Sequence, residues 1–309
     1  GECTFETWYR LNGDRVDITA RLNNARPDTT RYPARAQELP AVYTNGSWFK
    51  VLTYLGDKPF TGDALTQMTG REIEPVWPPQ FGGCTEHWMA LVDDDNYGLG
   101  VYNPSTAWIS GGFFGTIGEG GPKDTNTGYI SPFQMDILDH DIVYTYTYSL
   151  IVGDVGTIRE RAAQLMAQAP VKPEWSFAET RAHFYYENIT DEGMPKNGCL
   201  EFAFAAGGKL CSPVQMLPKG RTRLVLDAAI EGDVLVKVNR DVYDGVFRLE
   251  NHGKPGPEET VTVSTGGKLT GDGERKEYAL SLGLPVASIG FEVEFCGEGH
   301  ARIRGIRVE

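Results

Sequence analysis

The chain has 309 residues, a formal net charge of −13 at pH 7 and a hydrophobic fraction of 40%. This length fits two domains that each bury a core, and the composition is that of a folded protein. The negative charge repels phosphate backbones, and no apolar run approaches the roughly 20 residues of a membrane helix. The sequence therefore predicts a globular protein with no nucleic-acid partner and no membrane insertion.

The first third of the chain is predicted to be rich in strands. The run 8–11, the turn pair Asn12-Gly13 and apolar residues at every second position from Val16 to Leu22 predict a β-hairpin over residues 8–22. Two further strands are predicted over 39–43 and 48–55. The segment 56–84 is rich in Pro and Gly, and it predicts a long loop of the kind that is usually functional or disordered.

Residues 85–104 carry the strongest indication of function. Glu86, His87 and Trp88 precede two apolar strands, which an acidic turn over 93–96 joins. In a strand Glu86 and Trp88 share one face, and a carboxylate beside an indole suits a sugar subsite. The competing interpretation, a charged strand junction next to a core tryptophan, is equally well supported. The acidic turn lacks the ligand spacing of a calcium loop.

The second half begins after the one convincing helix of the sequence. Apolar residues at helical spacing predict this helix over 155–168, after a long strand over 142–152, and Pro170 ends it. From residue 175 onward, short strands alternate with Gly-containing turns, which is typical of a β-sandwich or jelly roll.

The predicted fold class is therefore mostly β, with two β-sandwich-type domains joined by one helix and a short linker. The predicted boundaries are 1–153 for the first sandwich, 154–174 for helix and linker, and 175–309 for the second sandwich.

Five cysteines stand at positions 3, 84, 199, 211 and 296. A Cys199–Cys211 disulfide and a set of buried free thiols are equally compatible with this spacing. No zinc-module spacing occurs. The sequence predicts no cofactor and no metal centre, although a structural calcium ion stays compatible with it.

Glu38 and Glu86 are the candidate catalytic carboxylates. Hydrolysis of a glycosidic bond needs an acid and a base or nucleophile, roughly 5 Å apart for retention and farther apart for inversion. His87 is the third catalytic candidate, and Trp77, Trp88, Trp108 and His140 are the candidate substrate-binding residues. For His140, which lies between Asp139 and Asp141, a solvated strand start is the favoured interpretation.

Other functions fit the same sequence. A polysaccharide lyase would use His87 or His140 as base and a tyrosine as acid, with Arg31, Arg35 and Arg71 facing an anionic sugar. A non-catalytic carbohydrate-binding or surface-assembly module would show an aromatic platform without a converging carboxylate pair. A coat-like jelly roll is a further alternative. The row 181–188 indicates either a sugar-binding surface or, as favoured here, the seam between the two halves.

A resemblance to a known class of proteins rests on four segments, which are residues 37–43, the hairpin 86–104, residues 127–132 and the helix after Val152. The sequence resembles bacterial carbohydrate-active proteins in which a mutarotase-like β-supersandwich precedes a β-sandwich module. The resemblance implies an extracellular or periplasmic protein that acts on an oligo- or polysaccharide, with glycoside hydrolysis as the leading function. Because a complete supersandwich exceeds residues 1–150, an upstream domain of the same protein is a further expected partner.

Overall fold

A computed structural model describes residues 3–56, 58–71, 80–191, 193–217, 220, 223–243, 249–250, 254–255, 260–281 and 288–309. These residues form 23 strands and a single helix, so the predicted mostly-β class is confirmed. The described helix is too short to span a membrane.

The strands and the helix follow one another along the chain in this order. The first half contains β1 (Cys3–Asn12), β2 (Arg15–Asn24), β3 (Arg35–Glu38), β4 (Val42–Asn45), β5 (Lys50–Thr53), β6 (Thr66–Gln67), β7 (Gln80–Gly83), β8 (Trp88–Val92), β9 (Tyr97–Tyr102), β10 (Trp108–Phe114), β11 (Thr127–Asp136), β12 (Ile142–Asp154) and α1 (Val155–Gln168). The second half contains β13 (Glu174–Ser176), β14 (Tyr185–Glu187), β15 (Thr190–Asp191), β16 (Leu200–Phe204), β17 (Gly208–Cys211), β18 (Arg223–Tyr243), β19 (Leu249–Glu250), β20 (Lys254–Pro255), β21 (Thr260–Ser281), β22 (Ser288–Phe295) and β23 (Gly299–Val308).

Two sheets form a sandwich that is built mainly from the first half, with β19 and β20 of the second half at one edge. The first sheet has the order β1-β2-β12-β9-β8-β5-β6, and the second has the order β20-β19-β7-β10-β11-β3, with β4 also pairing with β11. Val51 and Leu91 from the first sheet pack against Ile109 and Ile130 from the second in a buried core. Each sheet therefore keeps an inner face toward this core and an outer face away from it.

The predicted hairpin and helix are confirmed. β1 pairs with β2 in the register that places Asn12 opposite Arg15, so the two turn residues are Gly13 and Asp14, one position later than the predicted Asn12-Gly13 turn. The Asp154 side chain accepts a hydrogen bond from the backbone N–H of Thr157 and caps α1, which ends at Gln168. The predicted strand 39–43 is wrong at its start, because β4 begins at Val42, beyond Pro40, which has no N–H to donate to a ladder.

α1 packs on the outer face of the first sheet. Ile158 and Ala162 of the helix are fully buried against Trp88, Tyr102 and Ile151. This layer covers the part of the sheet formed by β8, β9 and β12. The predicted linker follows the helix.

The second half has a separate core. One nine-stranded sheet has the order β14-β17-β22-β18-β23-β16-β15, with β13 on β23 and β21 on β18. Its buried core is mostly aliphatic and contains a group of aromatic rings that includes Trp175, Phe184, Phe202 and Phe295. The predicted boundaries at residues 153 and 174 stay predictions. All five cysteines are free, so the structure favours the free-thiol alternative over the Cys199–Cys211 disulfide.

Candidate functional site

Glu86 is completely buried between the first sheet and α1. Its carboxylate accepts hydrogen bonds from Arg159 Nη2 at 2.7 Å, Arg159 Nε at 3.0 Å, Trp88 Nε1 at 2.7 Å and the backbone N–H of Phe60 at 2.6 Å. Both oxygens are saturated by protein donors. This is the geometry of a structural ion pair, and the Trp88 ring lies in the core below α1 rather than on a surface.

His87 is enclosed as well. Neither ring nitrogen makes a hydrogen bond of standard geometry to a described residue, and the backbone adopts a φ of 59°. Burial lowers the pKa of the imidazole to about 4, against the opposing effect of the Asn103 and Pro104 backbone. His87 is therefore neutral at pH 7 and has no exposed atom to offer to a substrate.

Glu38 lies on the outer face of the second sheet. It accepts a hydrogen bond from the Tyr129 hydroxyl and stands opposite Phe133 in the β3–β11 ladder. The Trp108 and Phe133 rings are in edge contact at 5.4 Å, so Glu38 and Trp108 share this face. Tyr43 adds an exposed ring at 5.2 Å from Tyr129.

The structure does not bring Glu38 and Glu86 together. Glu86 lies under α1 on the outer side of the first sheet, and Glu38 lies on the outer side of the second sheet. Packed sheets are about 10 Å apart, so the two carboxyl groups are separated by more than either glycosidase geometry allows. The predicted catalytic pair stays a prediction, with its two carboxylates on opposite outer sides of the sandwich.

The remaining predicted residues are dispersed. His140 is partly exposed, and its Nδ1 lies 3.1 Å from Asp141 at the start of β12, which is the favoured solvated position. Arg71 pairs with Asp94, and Arg31 pairs with Asp191. Trp77 lies outside the described residues.

The row 181–188 lies at the seam between the two halves, the favoured interpretation of the sequence. The Arg181 guanidinium is buried between Asp139, at 2.6 Å, and Asp191, at 2.7 Å. Nearby, His183 Nδ1 lies 2.7 Å from the Asp136 carboxylate.

This imidazole–carboxylate dyad has further features of a reactive site. The Tyr144 hydroxyl is 3.4 Å from His183 Nδ1, and burial raises the pKa of Tyr144, which keeps its proton at neutral pH. Ala182 and His183 both have positive φ, a conformation that costs energy in residues with a Cβ. The dyad borders a small cavity of about 70 Å³.

A larger groove of about 370 Å³ opens beside the C-terminal end of α1, on the outer face of the first sheet. Four strands cross it, and their register aligns Arg10, Asp17, Ser149 and Tyr102 in one row. The adjacent row carries Trp8, Thr19 and Thr147. Directly opposite residues of paired strands face the same side of a sheet, so both rows point to the side that α1 covers.

The groove offers both ring surface and hydrogen-bonding groups. The Trp8 indole is 48% exposed, and the Arg21 guanidinium lies over the ring at 4.8 Å. The Tyr102 hydroxyl is buried, has no hydrogen-bond partner among the described residues, and has a pKa raised by burial to about 12. It is therefore a hydrogen-bond donor that the protein leaves unused.

Asp17 supplies the complementary acceptor. Partial burial favours its neutral form, but hydrogen bonds from Ser149, at 2.7 Å, and Arg15 hold the pKa of this carboxyl below its usual value. Asp17 is thus ionised at neutral pH. Sequence reasoning missed this groove. The period of two in the first hairpin indicates which of its residues form a polar face. It does not indicate which strands lie beside the hairpin in the sheet.

The described residues contain one group with metal-ligating atoms close together, formed by Glu187, Cys211 and Glu292. The Lys209 ammonium lies 2.8 Å from Glu292 and 3.7 Å from Glu187, so a cation is already present. Burial and the two carboxylates raise the pKa of the Cys211 thiol, which stays protonated. This donor set does not favour a metal ion. In the acidic turn, Asp93 accepts backbone hydrogen bonds from Asp95 and Tyr97, as predicted for a turn.

No protein-family model matches the chain, and no curated protein matches its sequence. Among solved structures, a family 6 carbohydrate-binding module is similar at 15% identity and a TM-score of 0.23, over 44% of this chain and 92% of the module. A glycoside hydrolase family 43 arabinoxylan arabinofuranohydrolase from Bacillus subtilis is similar at 11% identity and a TM-score of 0.28, over 100% of this chain and 93% of that one. A sialidase from Trypanosoma rangeli is similar at 9% identity and a TM-score of 0.22, over 97% and 80%. Scores of this size do not establish a shared fold.

Proposed function

We propose that this chain binds a carbohydrate in the groove formed by Trp8, Asp17, Ser149 and Tyr102. The observation that carries the proposal is a buried tyrosine hydroxyl without a partner, placed in one groove with an exposed indole. Sugar rings have apolar C–H faces that pack on aromatic rings, and hydroxyls that need both donors and acceptors. Trp8 offers the ring, Tyr102 the donor and Asp17 the acceptor.

The size of the groove suits a short stretch of sugar. A volume of about 370 Å³ lies at the lower end of the range for small-molecule sites, roughly 300–1,000 Å³. This space fits one or two sugar rings, so we propose that the groove holds the end or a short internal section of an oligo- or polysaccharide. An extracellular or periplasmic location follows as part of this proposal, because such glycans occur there.

Binding without hydrolysis is the version that this geometry supports best. The carboxylates predicted to act as acid and base are Glu38, on the far sheet, and Glu86, saturated by Arg159 and Trp88. Asp17 is the one acidic residue among the described residues that line the groove, so no second carboxylate converges with it there. An aromatic platform without a converging carboxylate pair is the feature expected of a non-catalytic module.

A polysaccharide lyase is the second candidate, and the His183–Asp136 dyad favours it. Asp136 binds Nδ1, which leaves Nε2 of the partly exposed imidazole as the basic atom. Tyr144, whose hydroxyl lies 3.4 Å from Nδ1 and whose raised pKa keeps it protonated at neutral pH, is the candidate acid. Arg35 stands opposite Asp136 in the β3–β11 ladder and supplies a cation for a uronate carboxylate.

Binding and cleavage can be tested on one panel of neutral and uronate-containing polysaccharides. Calorimetry should show binding by the wild type and a loss of about tenfold in affinity for Trp8→Ala, with a smaller loss for Tyr102→Phe. Tyr43→Ala, which removes an exposed ring from the other sheet, is the matched control. Equal losses in Trp8→Ala and Tyr43→Ala, or no binding to any glycan, would reject the groove.

The same samples distinguish the enzymatic alternatives. Release of reducing ends without absorbance from unsaturated uronates would indicate hydrolysis and contradict the binding-only proposal. Absorbance that disappears in His183→Gln but persists in His300→Gln would establish the lyase. Neither signal is expected if the chain only binds.

A further inference from the structure

β1 has a free edge with large apolar side chains. It is the outermost strand of the first sheet, and no described strand pairs with its outer side. Phe5, Tyr9 and Leu11 are 62%, 71% and 77% exposed. A ten-residue edge strand of this kind is a template for pairing with another strand, which proteins normally block or cover.

The hairpin fixes which residues of β1 can pair outward. Asn12 and Arg15 flank a two-residue turn and so form a hydrogen-bonded pair. Because hydrogen-bonded and non-bonded positions alternate in antiparallel ladders, the even-numbered residues of β1 direct their backbone groups to β2. The odd-numbered residues, including Phe5, Tyr9 and Leu11, direct theirs to the free edge. An incoming strand must form its hydrogen bonds with them.

We propose that β1 of a second copy of this chain occupies this edge, antiparallel, with the two-fold axis at Trp8. Phe5 then stands opposite the partner's Leu11, and their backbones form a hydrogen-bonded pair. Glu6 stands opposite the partner's Arg10, at a position where no ladder bond intervenes and side chains are closest. The symmetry repeats each contact, so the interface is isologous and closes as a dimer.

Charge complementarity selects this register and this occupant. Charged residues on an edge strand usually oppose pairing, but here opposite signs stand at symmetric distances from Trp8. Arg10 is exposed and has no ion-pair partner among the described residues. Glu6 makes one ion pair, with Arg21 at 2.8 Å. A shift of the partner strand by two residues in either direction places Arg10 opposite the partner's Thr4 or the partner's Trp8. The charges then no longer match.

The two indoles add to the same contact. Trp8 faces the partner's Trp8 at a non-hydrogen-bonded position, and aromatic pairs across such positions stabilise antiparallel strands. Trp8 and Arg10 also line the groove, but the inference rests on the backbone edge and on the Glu6 and Arg10 charges, and it is therefore tested in the absence of glycan.

The first test is the mass of the full chain in solution without glycan. Sedimentation or light scattering over a concentration series should show a dimer that dissociates on dilution. Arg10→Glu should raise the dissociation constant about tenfold, because two attractive pairs become repulsive. Arg35→Glu makes the same charge change at an exposed site on β3 and should leave the dimer unchanged. A monomer at all concentrations would overturn the proposal and leave the edge to another occupant, such as an upstream domain.

A cysteine pair tests the register. In a Cys3→Ser background, Trp8→Cys should oxidise to a covalent dimer, since Cα atoms about 4.5 Å apart at such a pair fit disulfide geometry. Tyr9→Cys in the same background faces the partner's Thr7 and should stay monomeric on a non-reducing gel. Equal cross-linking of both variants, or of neither, would contradict the two-fold axis at Trp8.

Discussion

Arg159 of α1 and Glu86 of the segment before β8 form a buried two-point ion pair, with Nη2–Oε1 at 2.7 Å and Nε–Oε2 at 3.0 Å. The pair joins the helix layer to the first sheet, 73 residues away along the chain. Trp88 and the Phe60 backbone complete the donors around the carboxylate. A buried charge with this many donors becomes costly when one partner is removed.

We therefore expect Glu86→Gln to destabilise the fold by about 3 kcal/mol, because Arg159 would keep its charge in a partly buried position without compensation. Denaturant unfolding followed by Trp fluorescence measures this change. Any loss of carbohydrate activity in this variant would then reflect unfolding rather than missing chemistry.

Asp94→Asn is the control for this prediction. It breaks the exposed pair between Arg71 and Asp94, which solvent screens, and it should leave the unfolding midpoint unchanged. A Glu86→Gln protein as stable as the wild type would contradict the structural role and return Glu86 to the list of catalytic candidates.

Local patterns in the sequence predicted local elements correctly. The bounds of α1 followed from apolar spacing, with Pro170 after its end, and the first hairpin followed from Asn12-Gly13. Each of these signals acts within a few residues of the structure that it determines. The seam at Arg181 was also indicated by the basic and aromatic row over 181–188, although only Tyr185–Glu187 of this predicted strand is β-strand in the structure.

The candidate groove depends on strand order, which the sequence does not display. Asp17, Ser149 and Tyr102 become neighbours only because β2, β12 and β9 are adjacent in the first sheet. The period of two shows which face of a strand is polar, but not which other strand lies beside it. The same limit applies to Glu86. The spacing of apolar residues predicts the helix that carries its partner Arg159, but it does not predict which part of the sheet that helix packs on.

His87 should make the stability of the protein fall in mild acid. Burial lowers the pKa of the folded imidazole from 6.5 to about 4, so the unfolded chain binds a proton in this range and the folded protein does not. The stabilisation is fully present above pH 6.5 and is lost as the pH falls toward 4, by about 3 kcal/mol over the window.

The measurement is the free energy of unfolding from pH 8 to pH 4 for the wild type and His87→Asn. Asparagine tolerates the positive φ of this position and does not titrate, so the variant should show a flatter profile between pH 6.5 and 4. Parallel profiles for wild type and His87→Asn would show that His87 titrates normally.

Gly100 lets α1 approach β9, and its substitution should separate them. A Cβ at this position would lie 2.3 Å from Cγ2 of Ile158, closer than any stable contact. Gly100→Ala should therefore cost about 1–3 kcal/mol of stability through overpacking. Gly121→Ala, where the nearest heavy atom would be 4.0 Å away, is the matched control and should be neutral.

In thermal melts, the double variant Gly100→Ala/Ile158→Ala should lose less stability than the sum of the two single losses, because the smaller side chain at position 158 removes the clash. Strict additivity would mean that the helix does not pack on Gly100.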